Sequence, residues 1–215
     1  MKERPILFSA PMVRAILGGS KKQTRRAMKR QPHEDWQPAH YTELHGFDKD
    51  GELTPDKVVG WGAVNEDGNQ GYVCPYGQPG DRLWVRESWH QRGKWLLPGW
   101  PEVDADDAYW NGSREIVYAA DAKRPGHDWR SRPSIHMPRW ASRILLEIVS
   151  VRVERLHDIS TEDICTEGLS TTMREFDAEC DLHEQWRQLW EAINGAENYD
   201  SNPWVWVIEF KRVLP

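Results

Sequence analysis

The stretch from Ala141 to Leu156, "ASRILLEIVSVRVERL", constrains the fold more than any other part of the chain. Its apolar residues recur at every second position up to Ile148 and resume, one position out of step, at Val151. A period of two predicts a β-strand with one buried face. The change of step predicts a bulge or bend at Val149-Ser150. A strand this long needs partners, so the chain is expected to form a sheet.

Other segments show similar local signals. Ser160 and Asp163 form a capping pattern ahead of a short helix, and Gly168 is placed to end that helix. A longer segment, which includes Trp186, has apolar residues at spacings of three and four, as in an amphipathic helix. The predicted elements are strands at 81–89, 142–154 and 204–213, and helices near 10–18, 160–167 and 173–194.

The order of these elements predicts an α+β protein, with a curved and closed antiparallel β-domain against which a few helices pack. No repeat or linker divides the 215 residues, so we predict a single domain over 1–215. Two stretches rich in Gly and Pro, at about 31–79 and 90–135, are predicted to be loop-rich insertions.

Composition limits the classes of protein. No apolar run approaches the ~20 residues that a membrane span needs, and the start lacks the apolar core of a signal peptide. Three widely separated cysteines and eight scattered histidines suggest neither a disulfide framework nor a metal site. We therefore expect a cytoplasmic protein with no membrane partner, no metal and no cofactor.

Charge is unevenly distributed. The formal net charge is −6, yet eight basic residues and no acidic ones lie between Arg4 and His33. From Glu162 to Glu209 there are twelve acidic residues and two arginines. A basic strip on an acidic protein can hold an anion locally without general affinity for nucleic acid. The other interpretation is a solvated charged face.

The basic strip contains the pattern G-x-K-x-x-T-x-R, from Gly19 to Arg26. An extended backbone would place Thr24 and Arg26 on one face and Lys21 on the other. A turn at Ser20 would instead bring Lys21 over Thr24. The structural alternative is a lysine that simply follows a helix C-terminus, where a cation is favoured.

Glu167 and the Arg86-Glu87 pair are further candidates. Glu167 lies in the last turn of its predicted helix, where the helix dipole disfavours a carboxylate, and such a position suits a general acid or base. The alternative interpretation is that Glu167 is an ordinary surface glutamate with no catalytic role. Arg86 and Glu87 follow each other on a strand, so they face opposite sides and at most one reaches a given pocket. The alternative interpretation is that both residues form cross-strand ion pairs and bind no substrate.

Tryptophan is unusually frequent, with 13 residues, and several lie in loops such as "KWLLPGWPE" and "DAYWNG". Exposed indoles can stack on a base or another planar ligand. They can equally fasten long loops to the surface of a domain.

Four segments together resemble the ASCH domain family, which is related to the PUA fold: "ILGGSKKQTRR", "GDRLWVRESW", "RILLEIVSVRVERLHDISTEDICTEGL" and "NPWVWVIEFKRV". The G-x-K-x-x-T-x-R pattern is the family's hallmark. The resemblance implies a small β-barrel with a central cleft. It also implies that the two insertions are those of longer, phage- and prophage-type members.

The small bacterial members that share this motif are N(4)-acetylcytidine amidohydrolases. The resemblance therefore implies hydrolysis of an N(4)-acylated cytidine-type nucleoside, with Lys21, Thr24 and Glu167 as the catalytic set. The lysine would activate the threonine hydroxyl or a water, and the glutamate would return the proton to the leaving amine. We predict that Arg26, Arg86, Glu87 and Trp140 bind the substrate.

Two other functions use the same basic strip: a reader domain that binds RNA or a modified base without catalysis, and a ribonuclease. The reader needs the basic strip and the aromatic residues but not Glu167. The hydrolase needs the whole Lys-Thr-Glu set, and its expected partner is a small modified nucleoside, with RNA as the alternative partner. The net charge of −6 favours the small substrate over a long RNA.

Overall fold

The computed structural model of the chain describes residues 1–32, 42–47, 53–62, 72–96, 109–174 and 176–213. Contacts between residues divide the chain into two compact units. The first unit comprises Met1–Arg4, Ala15–Leu83 and Leu146–Pro215, and the second comprises Pro5–Arg14 and Trp84–Leu145. The single domain expected over 1–215 stays a prediction.

The described residues form ten strands and four α-helices. The strands are β1 (Glu3–Leu7), β2 (Gln23–Ala27), β3 (Thr42–Phe47), β4 (Leu53–Gly62), β5 (Arg82–Arg86), β6 (Trp89–Leu96), β7 (Tyr109–Tyr118), β8 (Trp129–Arg132), β9 (Leu145–Arg155) and β10 (Trp204–Val213). The helices are α1 (Ala10–Leu17), α2 (Thr161–Thr166), α3 (Phe176–Asn194) and α4 (Ala196–Asp200).

Three sheets account for these strands within the described part of the chain. The largest has the order β1-β5-β9-β10-β2; β3 pairs with β4, and the third sheet has the order β7-β6-β8. The predicted α+β class is therefore confirmed. The order of the large sheet has β1 and β2 at its two ends, and the closed PUA-like barrel stays a prediction.

The expectation of an entirely antiparallel sheet is wrong at β1 and β5. Arg82 N donates to Lys2 O at 2.8 Å, and Phe8 N donates to Arg86 O at 3.1 Å. Both strands advance in the same direction from the first bond to the second, so β1 and β5 run parallel. A parallel pair needs a long connection, which the chain between β1 and β5 supplies.

The predicted change of face in β9 is confirmed. Leu146, Ile148 and Val151 are buried, whereas Val149 is 50% exposed. Burial therefore moves from even to odd positions at Val149-Ser150, as the apolar pattern indicates.

Helices α2 and α3 share a core with β10. The buried residues of this core are Leu156, Ile159, Ile164, Leu182, Trp186, Trp190, Val205 and Val207. The helical spacing correctly predicts the burial of Leu182, Trp186 and Trp190. It is wrong for Ile193, which is 54% exposed in the last turn of the helix.

The two predicted insertions contain more regular structure than their composition suggests. β6 begins at Trp89, so the strand predicted over 81–89 ends early, and the stretch from 90 to 135 contributes to three paired strands. Within 31–79, β3 pairs antiparallel with β4. Residues 63–71 lie outside the described residues. Glycine and proline lower strand propensity, but pairing with neighbours outweighs that preference.

In the described part of the chain, no helix is long and apolar enough to span a bilayer.

Candidate active site

The end of helix α1 fixes the backbone of Lys21. Gly19 has φ = 80°, a left-handed conformation that suits glycine and ends the helix. The backbone N–H groups of Ser20 and Lys21 both donate to Ala15 O, at 3.0 and 3.1 Å. Lys21 therefore leaves the helix in a defined direction and forms an antiparallel bridge with Glu167.

The second part of the site is the end of helix α2. The Ser160 hydroxyl accepts a hydrogen bond from Asp163 N at 3.1 Å, which confirms the predicted N-terminal cap. At the other end, Glu167 is the C-terminal cap, and Gly168 follows with φ = 96°. Local capping rules thus place Glu167 at the point where α2 stops.

The two ends meet through a side-chain contact. Lys21 Nζ donates to Glu167 Oε2 at 2.5 Å and to the Glu167 carbonyl oxygen at 2.8 Å. The Lys21 side chain is 0% exposed and that of Glu167 is 2% exposed. A buried charge pair of this kind is expensive to form, and each partner depends on the other.

Gly168 allows this approach. A Cβ at Gly168 would lie 3.0 Å from Ala15 Cβ and 3.1 Å from Lys21 Cβ, closer than ordinary van der Waals contact. Glycine is therefore required here both by the positive φ and by the close approach of Lys21.

We expect Gly168→Ala to lower the free energy of unfolding by more than the ~1–2 kcal/mol of left-handed strain. The matched control is Gly195→Ala: Gly195 has φ = 90°, but a Cβ there would meet nothing within 4 Å. Urea unfolding of both variants checks this. Equal losses in the two variants would contradict the close approach at Gly168.

Burial controls the acid–base chemistry of the pair. It lowers the pKa of Lys21 below its ordinary value of 10.5, while the Glu167 carboxylate opposes this shift. Arg25 Nη1 lies 3.7 Å from Glu167 Oε1. Within the described residues, Glu167 Oε1 accepts no hydrogen bond. This buried oxygen therefore has an ion-pair partner in Arg25 and retains an unused capacity to accept a hydrogen bond.

Thr24 is buried on β2, at 2% exposure, where it pairs with Ile208 of β10. Among the described residues, no hydrogen bond joins it to Lys21 or Glu167. Arg26 lies on the same face of the strand as Thr24. Burial lowers the pKa of Arg26, and Tyr76 and Glu167 oppose that shift. The structure thus joins Lys21 with Glu167 directly and couples Arg26 to Glu167 electrostatically.

Arg25 has a role that the sequence does not reveal. Its side chain is 0% exposed and donates to Glu154 and Asp163, both at 2.8 Å. Arg152 also donates to Asp163, at 2.9 Å. Arg25, one of the eight residues of the basic strip, is therefore a buried member of this ion-pair network rather than a free surface cation. The sequence analysis identifies one member of this network, Asp163, but assigns it only to the cap of helix α2.

The other predicted substrate-binding residues belong to the second unit. Arg86 donates to the carbonyl oxygens of Ile135 and Met137. Both Glu87 oxygens accept from Arg143, at 2.9 and 3.0 Å, so Glu87 belongs to an ion pair. Trp140 is half exposed. A substrate-binding role for these residues stays a prediction.

In the described part of the chain, no group of three or more His, Cys, Asp or Glu side chains has the arrangement of a metal site.

No protein-family model matches the chain, and comparison with curated proteins and with solved structures gives no match either.

Proposed function

We propose that this protein is an amidohydrolase that removes the acyl group from N(4)-acylated cytidine-type nucleosides, and that its chain folds as a single PUA-like domain with a closed barrel. The observation that carries the proposal is the buried contact between Lys21 Nζ and Glu167 Oε2, at 2.5 Å. These residues are 146 positions apart, and the resemblance to the ASCH family singles out both.

The reaction needs one proton to move from the nucleophile to the leaving group. Lys21 in its neutral form takes the proton of the attacking hydroxyl, which belongs to Thr24 or to a water that Thr24 positions. The hydroxyl oxygen bonds to the acyl carbon. Lys21 passes the proton across the contact to Glu167. The C–N bond then breaks as Glu167 gives the proton to N4, which leaves as the cytosine amine. Where water attacks, the acyl group leaves directly as the carboxylic acid. Where Thr24 attacks, a water hydrolyses the resulting acyl ester in a second step, which releases the carboxylic acid and restores the hydroxyl.

The surroundings support these roles. The lowered pKa of Lys21 favours its neutral, basic form. Glu167 Oε1 accepts no hydrogen bond from the described residues and is available to the N4–H group. Arg26 lies on the same face of β2 as Thr24, and its positive charge would stabilise the negative charge that develops on the acyl oxygen. Because both members of the pair are buried, turnover requires a local rearrangement that admits the substrate.

The test is incubation of the purified protein with N(4)-acylcytidines, N(4)-acylcytosines and acylated RNA, following release of the deacylated product and the carboxylic acid. We expect turnover in the parent protein and its loss in Thr24→Val, which keeps the shape of the side chain. The control is Lys22→Met, because Lys22 is the exposed neighbour of Lys21. Binding of these ligands without turnover would identify a reader domain instead, and cleavage of the RNA chain would identify a ribonuclease.

A further inference from the structure

The sheet of β6, β7 and β8, in the second unit, presents aromatic and cationic side chains on one face. Trp95 pairs with Trp110, and Gln91 pairs with Arg130. Directly paired residues point to the same side, as do alternate residues along a strand. Trp95, Trp110, Arg130 and Arg132 therefore share one face, with Arg114 beside it. We call this set of five residues the aromatic–arginine face.

The aromatic part of this face is open to solvent. Trp95 is 57% exposed, and its ring meets that of Trp110 edge to face with centroids 5.5 Å apart. The Arg130 guanidinium lies 5.0 Å from the centre of the Trp95 ring. Arg114 lies 5.7 Å from that of Trp140. An exposed tryptophan beside an arginine is a surface on which a base can stack.

Next to Trp110, two residues of this face, Gly93 and Gly112, have no side chain. Gly93 and Gly112 pair directly, on the same side as the two tryptophans. A Cβ at Gly93 would lie 2.8 Å from a carbon of the Trp110 ring, so the indole lies over the bare backbone. Glycine within a strand often marks a place where a ligand or another group approaches closely.

The three arginines of this face keep their positive charge without a carboxylate partner in the part of the chain that the structure describes. No carboxylate of the described residues forms an ion pair with Arg114, Arg130 or Arg132. Burial lowers the pKa of Arg132, and the nearby charge of Arg130 lowers it further. On the opposite face of the same sheet, by contrast, Arg92 pairs with Glu115 at 3.0 Å and with Asp128 at 2.8 Å.

We propose that the aromatic–arginine face binds single-stranded RNA, with bases stacked on Trp95 and Trp110 and phosphates held by the three arginines. Charge and stacking together select a single-stranded nucleic acid, because a duplex hides its base faces and an acidic peptide has no bases to stack. The choice of RNA over DNA rests on the proposed function, whose substrate is a ribonucleoside. The surface itself is independent of the hydrolytic site.

Fluorescence anisotropy with a fluorescein-labelled, mixed-sequence 12-nucleotide RNA tests the proposal. We expect saturable binding with a Kd of about 1–100 µM near 0.1 M salt, and a salt slope of about −2 if three phosphates are contacted. Arg130→Glu should weaken binding by about 10-fold or more. Lys94→Glu makes the same change of charge on the opposite face of the sheet, and it should change Kd by less than about 3-fold.

A second pair of variants tests stacking. Trp95→Ala should weaken binding by about 5-fold or more, because base–aromatic stacking contributes strongly to such complexes. Tyr109→Ala removes a ring that is 53% exposed and pairs with Leu96 on the opposite face, so it should leave Kd unchanged. All four side chains are exposed, and thermal unfolding checks that each variant keeps the fold.

Several results would overturn the proposal: no binding up to about 1 mM RNA, equal losses in Arg130→Glu and Lys94→Glu, or equally tight binding of duplex RNA or polyglutamate. Equal affinity for single-stranded DNA of the same sequence would overturn the assignment to RNA. None of these measurements depends on hydrolysis, so a failure here is distinct from a failure of the amidohydrolase proposal.

Discussion

Replacing Lys21 with Met should lower the free energy of unfolding by about 3–5 kcal/mol, because it leaves the buried Glu167 carboxylate without its cation. A lysine that only followed a helix C-terminus, without a buried partner, would contribute far less to stability. The double variant Lys21→Met/Glu167→Leu should regain most of the loss, since an apolar pair of similar volume avoids the cost of burying charges. Urea unfolding of the single and double variants measures both effects.

The same variants separate stability from catalysis. Both should be inactive towards acylated cytidine, although the double variant is stable. Lys22→Met, which changes the exposed neighbouring lysine, should stay within about 0.5 kcal/mol of the parent protein and keep its activity. A double variant that is less stable than Lys21→Met would contradict the coupling between the two residues. An active Lys21→Met protein would eliminate the proposed mechanism.

Glu167→Gln should reduce turnover by about 10²–10⁴-fold, the usual contribution of a general acid or base. It should also move the pH dependence in a defined direction. Lys21 acts as a base only without its proton, so kcat/KM rises with pH through the pKa of Lys21. Burial lowers that pKa, and Glu167 raises it. Removing the carboxylate therefore lowers the pKa of Lys21 further, and the acidic limb of the profile should move to lower pH.

Single-turnover measurements with excess enzyme, made across the pH range, can follow the residual rate. The matched control is Glu162→Gln, because Glu162 is an exposed carboxylate on the same helix. Its profile should coincide with that of the parent protein. A limb that moves to higher pH in Glu167→Gln, or an equal shift in both variants, would show that Lys21 is not the group that titrates.

The sequence predicts those features that depend on neighbouring residues. The Ser160 hydroxyl and Gly168 set the limits of helix α2 by local hydrogen bonding and a positive φ, so the capping pattern is enough to find them. The change of face in β9 follows from apolar periodicity, which reports one buried side. The start of β10 follows from a continuous apolar run, whose first five residues are buried on both faces of the strand. The resemblance to a family adds the expectation that Lys21, Thr24 and Glu167 act together.

The tertiary structure decides what depends on residues far apart in the chain. The Lys21–Glu167 contact requires Gly168, because a Cβ at that position would be too close to Lys21. The periodicity of the sequence does not predict this close approach. The burial of Arg25 depends on carboxylates more than 120 positions away. The sheet of β6, β7 and β8 forms in a segment whose composition favours loops, because strand pairing supplies hydrogen bonds and packing that local propensity does not register.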